Sequence, residues 1–270
     1  MKFIATDLDG TFLDDQKHYD ADLFQQTLNR LADEQTRFVI ATGRELKWIQ
    51  AMFGEFTKQV DIVASNGAVV KPQDHPMIRK QISVATLADL QAFLDERQAV
   101  PSGGLRTYTD NEMYTLKGMG ELDAQTYAFM EKLYDKINEI DSLAELPEPV
   151  STVTGRWSDN HDDGYRVMQA INDSDLPLYA TTSGYGTVDI LPEGVNKAFA
   201  LETLLQTVGD ADTNQLAAFG DGMNDYEMLQ LADAGYVMPN GDEFLLKQPE
   251  FKHVAEDNNH SGVLKTILNW

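Results

Sequence analysis

Residues Met1-Lys-Phe-Ile-Ala-Thr-Asp-Leu-Asp-Gly-Thr11 open the chain, and the interpretation of the rest depends on them. The apolar run at residues 3–5 predicts a short strand buried on both faces. Asp7 and Asp9 follow at once, and side chains two residues apart point to the same side of an extended chain. Gly10 then allows a sharp turn. Two such carboxylates could hold a divalent cation and attack an electrophile, although an Asp-Gly turn after a surface strand has the same local sequence.

The composition is typical of a globular protein and excludes some kinds of site. The chain has 270 residues, enough for one large domain or two ordinary ones. Hydrophobic residues make up 42% and charged residues 24% of it. Cysteine is absent. Disulfides, a thiolate nucleophile and thiolate metal ligands are therefore excluded.

The negative charge argues against nucleic acid and membrane partners. The formal net charge is −23 at pH 7, whereas binding to phosphate backbones needs a basic patch, which the sequence lacks. No apolar run approaches the length of a membrane span, and the two aspartates come before any signal-peptide stretch could form. We expect a cytoplasmic protein, and a phosphorylated small molecule would need local cations at its binding site.

The first quarter of the chain alternates strands with helices. Asp20 is a plausible N-cap for a helix over residues 21–33, and Leu46, Ile49 and Phe53 mark the face of a second helix. Buried strands are predicted at residues 38–41 and 62–64. This alternation predicts βαβ units and a parallel sheet, which is an α/β fold.

Two short polar segments follow these strands. Thr42-Gly43-Arg44 precedes a helix, so its hydroxyl and backbone N–H groups could seat a phosphate, although threonine also caps helices routinely. Ser65-Asn66-Gly67 has the composition of a turn. Neither segment decides the function by itself.

The middle of the chain departs from strict alternation, which predicts an α+β insert of roughly 105 residues. A segment similar to a capping box at residues 86–89 predicts the start of a helix. The other predicted helices are one near residues 165–172 and a long one through Met130, Leu133, Ile137 and Ile140. The predicted strands lie near residues 106–108, 113–116, 150–153, 178–182 and 187–190.

Strand and helix alternate again after residue 190, with two further candidates for chemistry. Gly220-Asp221-Gly222 follows a buried strand at residues 216–219, as Asp7 and Asp9 follow the first strand. Asp221 can supply a hard oxygen ligand, and Mg²⁺ needs only one or two carboxylates plus substrate phosphate. Lys197 precedes a helix and could balance clustered carboxylates. Considered separately, each has an ordinary alternative, a capped loop or a surface lysine.

Together these motifs resemble those of the haloacid dehalogenase superfamily. The matching motifs are Asp7-x-Asp9-Gly-Thr11, Thr42-Gly-Arg44, Lys197 and Gly220-Asp221-x-x-Asn224-Asp225. With Ser65-Asn66-Gly67 and the insert before Lys197, the chain looks like the Cof-type sugar phosphatase branch. The resemblance implies a Rossmann-like parallel-sheet core at residues 1–82 and 190–270. It also implies a C2B cap at residues 83–189 that selects the substrate.

The resemblance implies Mg²⁺-dependent hydrolysis of a small phosphorylated metabolite. Asp7 is then the nucleophile that forms an aspartyl-phosphate, and Asp9 protonates the leaving oxygen and later activates water. Asp7, the Asp9 carbonyl and Asp221 are the implied metal ligands, and Lys197 is also catalytic. We expect neighbouring carboxylates to raise the pKa of Asp9, so that it starts protonated.

The resemblance assigns further residues to binding. The residues implied to hold the phosphate or the rest of the substrate are Leu8, Thr42, Gly43, Arg44, Asn66, Lys197 and Asn224. Asp225 supports them without contacting the phosphate. The candidates in the cap for choosing the substrate are Arg106, Tyr108, Tyr114, Lys117, Arg156 and Tyr185.

Two other functions remain open at this point: a sugar phosphomutase, and a non-catalytic regulator that binds phosphorylated metabolites. A monomer or weak homodimer is expected.

Overall fold

The computed structural model describes residues 2–157, 161–182, 186–209 and 215–270. The chain divides into two compact units. The first contains Met1–Ile78 and Asn196–Trp270, and the second contains Arg79–Val195. The borders predicted from the sequence lie after residues 82 and 189, four residues and six residues away. Both units mix helices and strands, and the predicted α/β class is confirmed.

The described ranges contain fourteen strands. In chain order they are β1 (Lys2–Thr6), β2 (Thr36–Ala41), β3 (Asp61–Ala64), β4 (Val69–Lys71), β5 (Ile78–Arg79), β6 (Leu105–Tyr108), β7 (Glu112–Leu116), β8 (Lys136–Ile140), β9 (Val153–Arg156), β10 (Leu178–Thr182), β11 (Thr187–Pro192), β12 (Leu216–Gly220), β13 (Ala234–Val237) and β14 (Lys252–His253).

Nine α-helices lie within the same ranges. They are α1 (Ala21–Asp33), α2 (Leu46–Phe53), α3 (Val84–Glu96), α4 (Ala124–Leu133), α5 (His161–Asn172), α6 (Lys197–Thr207), α7 (Tyr226–Leu231), α8 (Glu243–Leu246) and α9 (Gly262–Leu268). None of these has both the length and the apolar character that crossing a bilayer requires.

The first unit is built on an eight-stranded sheet in the order β14-β13-β12-β1-β2-β3-β4-β5. The strands from β14 to β3 pair in parallel, and β4 adds antiparallel to β3. β1 is central, and Phe3, Ile4 and Ala5 are buried, as the apolar run predicts. The carboxyl ends of β1 and β12 are neighbours, because Thr6 lies opposite Phe219.

Helices cover both faces of this sheet. On one face, Leu201 and Leu204 of α6 lie in one buried cluster with Phe3 and Val39 of the sheet. On the other, aromatic rings from α1, α2, β2 and the segment between β1 and α1 pack together; they are Phe12, Tyr19, Phe24, Phe38 and Phe53. α1 has the predicted bounds, and its N-cap Asp20 accepts a hydrogen bond from the N–H of Leu23.

The second unit has a six-stranded sheet in the order β10-β11-β9-β6-β7-β8. Neighbouring strands are antiparallel except β7 and β8, which are parallel and joined through α4. Leu87, Leu90 and Leu94 of α3 are buried in its core.

The predicted long helix through Met130 and Ile140 is wrong. α4 ends at Leu133, Tyr134 is extended, and the chain continues as β8. The apolar spacing fits a helix, but pairing of β8 with β7 overrides it; Asn138 also donates a hydrogen bond to Glu112 across that pair.

Two other boundaries differ from the predictions. The strand predicted at residues 150–153 begins at Val153 and runs to Arg156, whereas Val150 forms only an isolated bridge with Ile82. The helix predicted to open at residue 86 begins at Val84. Its N-cap is Ser83, whose hydroxyl accepts from the N–H of Thr86.

Candidate active site

Three residues of the predicted site meet at the carboxyl ends of β1 and β12: the catalytic candidates Asp7 and Lys197, and Asp225, which was predicted to support them. The amino group of Lys197 lies 2.6 Å from Oδ1 of Asp7 and 2.6 Å from Oδ1 of Asp225. All three side chains are buried. Lys197 is the first residue of α6, which the side chain of Asn196 caps by accepting from the N–H of Phe199. The lysine is therefore part of the site and not a surface residue.

Asp225 fixes the loop that carries Asp221. Its Oδ2 accepts hydrogen bonds from the N–H groups of Asp221 and Gly222, at 3.0 and 3.1 Å. A Cβ at residue 220 would collide with the Asp225 side chain, so glycine is needed there. One oxygen of Asp225 thus accepts from Lys197 and the other from two backbone N–H groups, so this residue connects the lysine to the loop that carries Asp221.

Asp221 faces the opening motif. Thr11 donates a hydrogen bond from its hydroxyl to Oδ1 of Asp221 at 2.8 Å. Gly10 has a φ of 83°, and a Cβ there would overlap the Asp221 carboxylate. The opening motif and the loop that carries Asp221 thus approach closely, because Gly10 has no side chain to keep the Asp221 carboxylate away.

The carboxylates fit a divalent cation. Asp7, Asp221 and Asp225 each offer an oxygen, and these oxygens lie within 4.8 Å of one another. Because the Asp225 oxygens already accept from Lys197 and two N–H groups, Asp7 and Asp221 are the carboxylates best suited to an ion. Oxygen ligands of this kind are those that Mg²⁺ prefers.

Electrostatics support this fit. Burial raises the pKa of Asp221 from 3.8 to about 7, and Asp225 adds to the rise. Burial also raises the pKa of Asp7 well above its ordinary value, although Lys197 lowers it. Burial lowers the pKa of Lys197, but Asp225 and Asp7 outweigh burial and raise it. The site thus has more negative charge than one lysine balances, and a divalent cation would offset the excess.

Asp9 has a different environment. Arg44 donates from Nε to Oδ2 of Asp9 at 2.7 Å and from Nη2 to Oδ1 at 2.9 Å. The amino group of Lys17 lies 2.7 Å from Oδ1. Burial acts to raise the pKa of Asp9, but Arg44 and Lys17 outweigh it and hold the pKa well below its ordinary value. The expectation of a raised pKa for Asp9 is therefore wrong, because two cations bind it directly.

Thr42, Gly43, Asn66 and Asn224 lie together. The Asn66 N–H donates to the Thr42 carbonyl at 3.0 Å, and Asn224 donates to the side-chain oxygen of Asn66 at 3.1 Å. A Cβ on Gly43 would lie 3.0 Å from the Asn66 side chain. Asn66 adopts left-handed backbone angles, with φ of 47°. Thr42 does not cap α2, since the N-cap is Glu45.

Leu8 and Arg44 differ from the other residues assigned to the substrate. The Leu8 side chain is fully buried, and its carbonyl accepts from the N–H groups of the following turn. The Arg44 guanidinium stacks on Trp48, 4.8 Å from the ring centroid, while it binds Asp9. Lys17 was not predicted as a site residue, because in the sequence it is one lysine in a polar loop that matches no motif.

The candidates in the second unit are spread over several sites. Arg106 and Arg156 line one cavity of about 380 Å³ with Glu121, Asp123 and Thr126. Three others have local partners: Tyr108 stacks on Tyr134, Tyr114 donates to Glu112, and Lys117 pairs with Asp141. Tyr185 lies outside the described residues.

The aspartates and the buried lysine lie at strand ends of a largely parallel sheet, the edge at which proteins of the α/β class bind their ligands. A sequence model of the family described as haloacid dehalogenase-like hydrolase matches residues 4–267. The chain belongs to this family, and the resemblance drawn from its motifs is confirmed.

Individual relatives extend over the whole chain. A 5-amino-6-(5-phospho-D-ribitylamino)uracil phosphatase of Escherichia coli is 28% identical over 271 residues, covering 99% of this chain and 95% of the relative. An HMP-PP phosphatase of Citrobacter koseri is 26% identical, covering 100% and 95%. The crystal structure of a Streptococcus mutans protein superposes with a TM-score of 0.87 at 29% identity, covering 99% of this chain and 98% of that one.

Proposed function

We propose that the protein is a Mg²⁺-dependent phosphatase that hydrolyses small phosphorylated metabolites through an aspartyl-phosphate on Asp7. The observation that carries this proposal is the position of Lys197, whose amino group lies 2.6 Å from both Asp7 and Asp225. A nucleophilic carboxylate beside a buried cation suits attack on a phosphoryl group, because the cation offsets the charge of both reactants.

In the first step, an oxygen of Asp7 attacks phosphorus and the ester oxygen leaves with a proton from Asp9. In the second, Asp9 takes a proton from water, which attacks the same phosphorus and releases inorganic phosphate and free Asp7. The hydrogen bonds from Arg44 and Lys17 favour ionised Asp9, the form that the second step needs. They also make protonated Asp9 a strong acid.

Mg²⁺ held by Asp7, Asp221 and the Asp9 carbonyl would supply Lewis-acid charge stabilisation to the phosphoryl oxygens. Lys197, the Thr42 hydroxyl and backbone N–H groups near Gly43 are proposed to hold those oxygens. Asn224 and Asn66, which are hydrogen-bonded to each other, are proposed to orient the same group. A fixed donor set of this kind lowers the barrier because it needs no reorganisation during the reaction.

The second unit is proposed to be the cap that selects the leaving group. Its cavity offers the guanidinium groups of Arg106 and Arg156 together with the carboxylates of Glu121 and Asp123. A mixture of donors and acceptors suits a polar, uncharged group such as a polyol or a heterocycle. The relatives named as phosphatases of a ribitylaminouracil phosphate and of HMP-PP support a small-metabolite substrate.

Cytoplasmic location and a monomeric or weakly dimeric state stay predictions.

The test is release of inorganic phosphate from a panel of sugar phosphates, phosphorylated pyrimidines and p-nitrophenyl phosphate. We expect release that requires Mg²⁺ and is lost in Asp7→Asn. Conversion of a sugar phosphate to its isomer without phosphate release would instead indicate a mutase. Tight binding of a phosphorylated compound with no turnover across the panel would indicate a regulator and refute the proposal.

A further inference from the structure

The loop after the opening motif holds Lys17 in an unusual backbone conformation. Lys17 has a φ of 65°, a left-handed value that is uncommon for a residue other than glycine. Asp14 stabilises the turn: its Oδ1 accepts from the N–H groups of Gln16 and His18, at 2.9 and 2.7 Å. The Asp14 carbonyl accepts from the N–H of Lys17 at 2.9 Å. Backbone strain of this kind persists where surrounding contacts enforce it.

The turn directs Lys17 onto one oxygen of Asp9. Oδ1 of Asp9 has two cationic donors, Nη2 of Arg44 at 2.9 Å and the amino group of Lys17 at 2.7 Å. Oδ2 has one, Nε of Arg44 at 2.7 Å. Each carboxylate oxygen has about two acceptor positions. Among the residues that the structure describes, these donors fill Oδ1 and leave one acceptor position open on Oδ2.

We propose that Lys17 is a positioning residue that makes Oδ2 of Asp9 the oxygen that exchanges the proton with the leaving group and with water. This inference rests on the proposed phosphatase function. Arg44 alone binds both oxygens almost symmetrically, so it does not distinguish them. Lys17 supplies the asymmetry, and it acts through Asp9 without touching the phosphate.

The leaving group provides the readout. An alkoxide leaves poorly unless it receives a proton from Asp9, whereas p-nitrophenolate is stable and leaves without one. The value of kcat/KM includes the departure of the leaving group, the first irreversible step. Removing a group that positions the acid should therefore slow an alkyl phosphate more than p-nitrophenyl phosphate.

The experiment compares Lys17→Met and Lys17→Arg with the unmodified enzyme on p-nitrophenyl phosphate and on the best alkyl phosphate of the panel. Methionine keeps an unbranched side chain that is one heavy atom shorter, and it removes the charge. We expect the ratio of kcat/KM, alkyl over aryl, to fall about tenfold in Lys17→Met, since Arg44 still holds Asp9 and only part of the acid contribution is lost. Lys17→Arg should restore most of the ratio.

Lys58→Met is the matched control, because Lys58 is an exposed lysine that pairs with Glu55 on the surface of the same unit. It should leave the ratio unchanged. An equal loss on both substrates in Lys17→Met, or an equal rise in KM, would overturn the inference, since it would indicate a structural or substrate-binding role. If the unmodified enzyme released phosphate from neither substrate, the proposed function itself would fail, and the inference with it.

Discussion

The amino group of Lys197 lies 2.6 Å from Oδ1 of Asp225, and both side chains are buried. This ion pair joins the start of α6 to the loop after β12. It therefore fixes the cation of the site to the same loop that carries Asp221. Folding and catalysis are expected to depend on the same contact, because an unpaired buried charge is costly.

Lys197→Met should destabilise the protein as well as inactivate it. The substitution leaves Asp7 and Asp225 buried without their cation, and breaking a buried pair in this way costs about 3–5 kcal/mol. Urea unfolding at neutral pH measures the loss. Lys58→Met should change the free energy of unfolding by less than about 0.5 kcal/mol. An unchanged unfolding midpoint in Lys197→Met would contradict the importance assigned to this pair.

Asp7→Asn should abolish phosphate release and leave the fold intact. The amide keeps the size of the side chain but is too weak a nucleophile to form the acyl-phosphate. Near-ultraviolet circular dichroism and the unfolding midpoint check the fold, and phosphate release checks the activity. Turnover near the unmodified level would mean that another group attacks phosphorus.

Asp221→Ala should weaken the affinity for Mg²⁺ without removing the nucleophile. A metal site that loses one of two carboxylates should need at least about tenfold more Mg²⁺ for half-maximal activity. The measurement is a Mg²⁺ titration of phosphate release at fixed substrate. The same titration curve in variant and parent would remove Asp221 from the ligand set.

Local patterns predicted the parts of the fold that local contacts determine. α1 was predicted with its cap and bounds, because Asp20 and the apolar face of the helix are close in sequence. β8 was not, because its pairing with β7 joins segments separated by a whole helix. The antiparallel strand β4 was also missed, because its three residues are too few to show a periodic pattern.

For the site, too, the sequence predicted which motif residues come together but not the contacts that their side chains make. The motif residues Asp7, Lys197 and Asp225 do come together, since parallel strand ends meet at one edge of a sheet. The environment of Asp9 was predicted with the wrong sign. Its pKa depends on side-chain directions of Arg44 and Lys17, and no spacing rule specifies these.

The buried carboxylates of the site should make the stability of the protein depend on both pH and Mg²⁺. Folding raises the pKa of Asp221 from 3.8 to about 7 through burial, and Asp7 is shifted in the same direction. Between about pH 4 and pH 7 the folded protein binds more protons than the unfolded chain. Its free energy of unfolding therefore falls as the pH rises across this range. Without divalent cations, the unfolding temperature should therefore be lower at about pH 7.5, above the shifted pKa, than at about pH 5, below it.

Mg²⁺ binds the ionised carboxylates, so it should raise the unfolding temperature more at the higher pH. Asp221→Asn is the matched control, since it removes one of the titrating groups and a metal ligand at nearly constant volume. In that variant, both the pH dependence and the Mg²⁺ shift should shrink. A Mg²⁺ shift of equal size at both pH values would mean that the ion does not bind at Asp7 and Asp221.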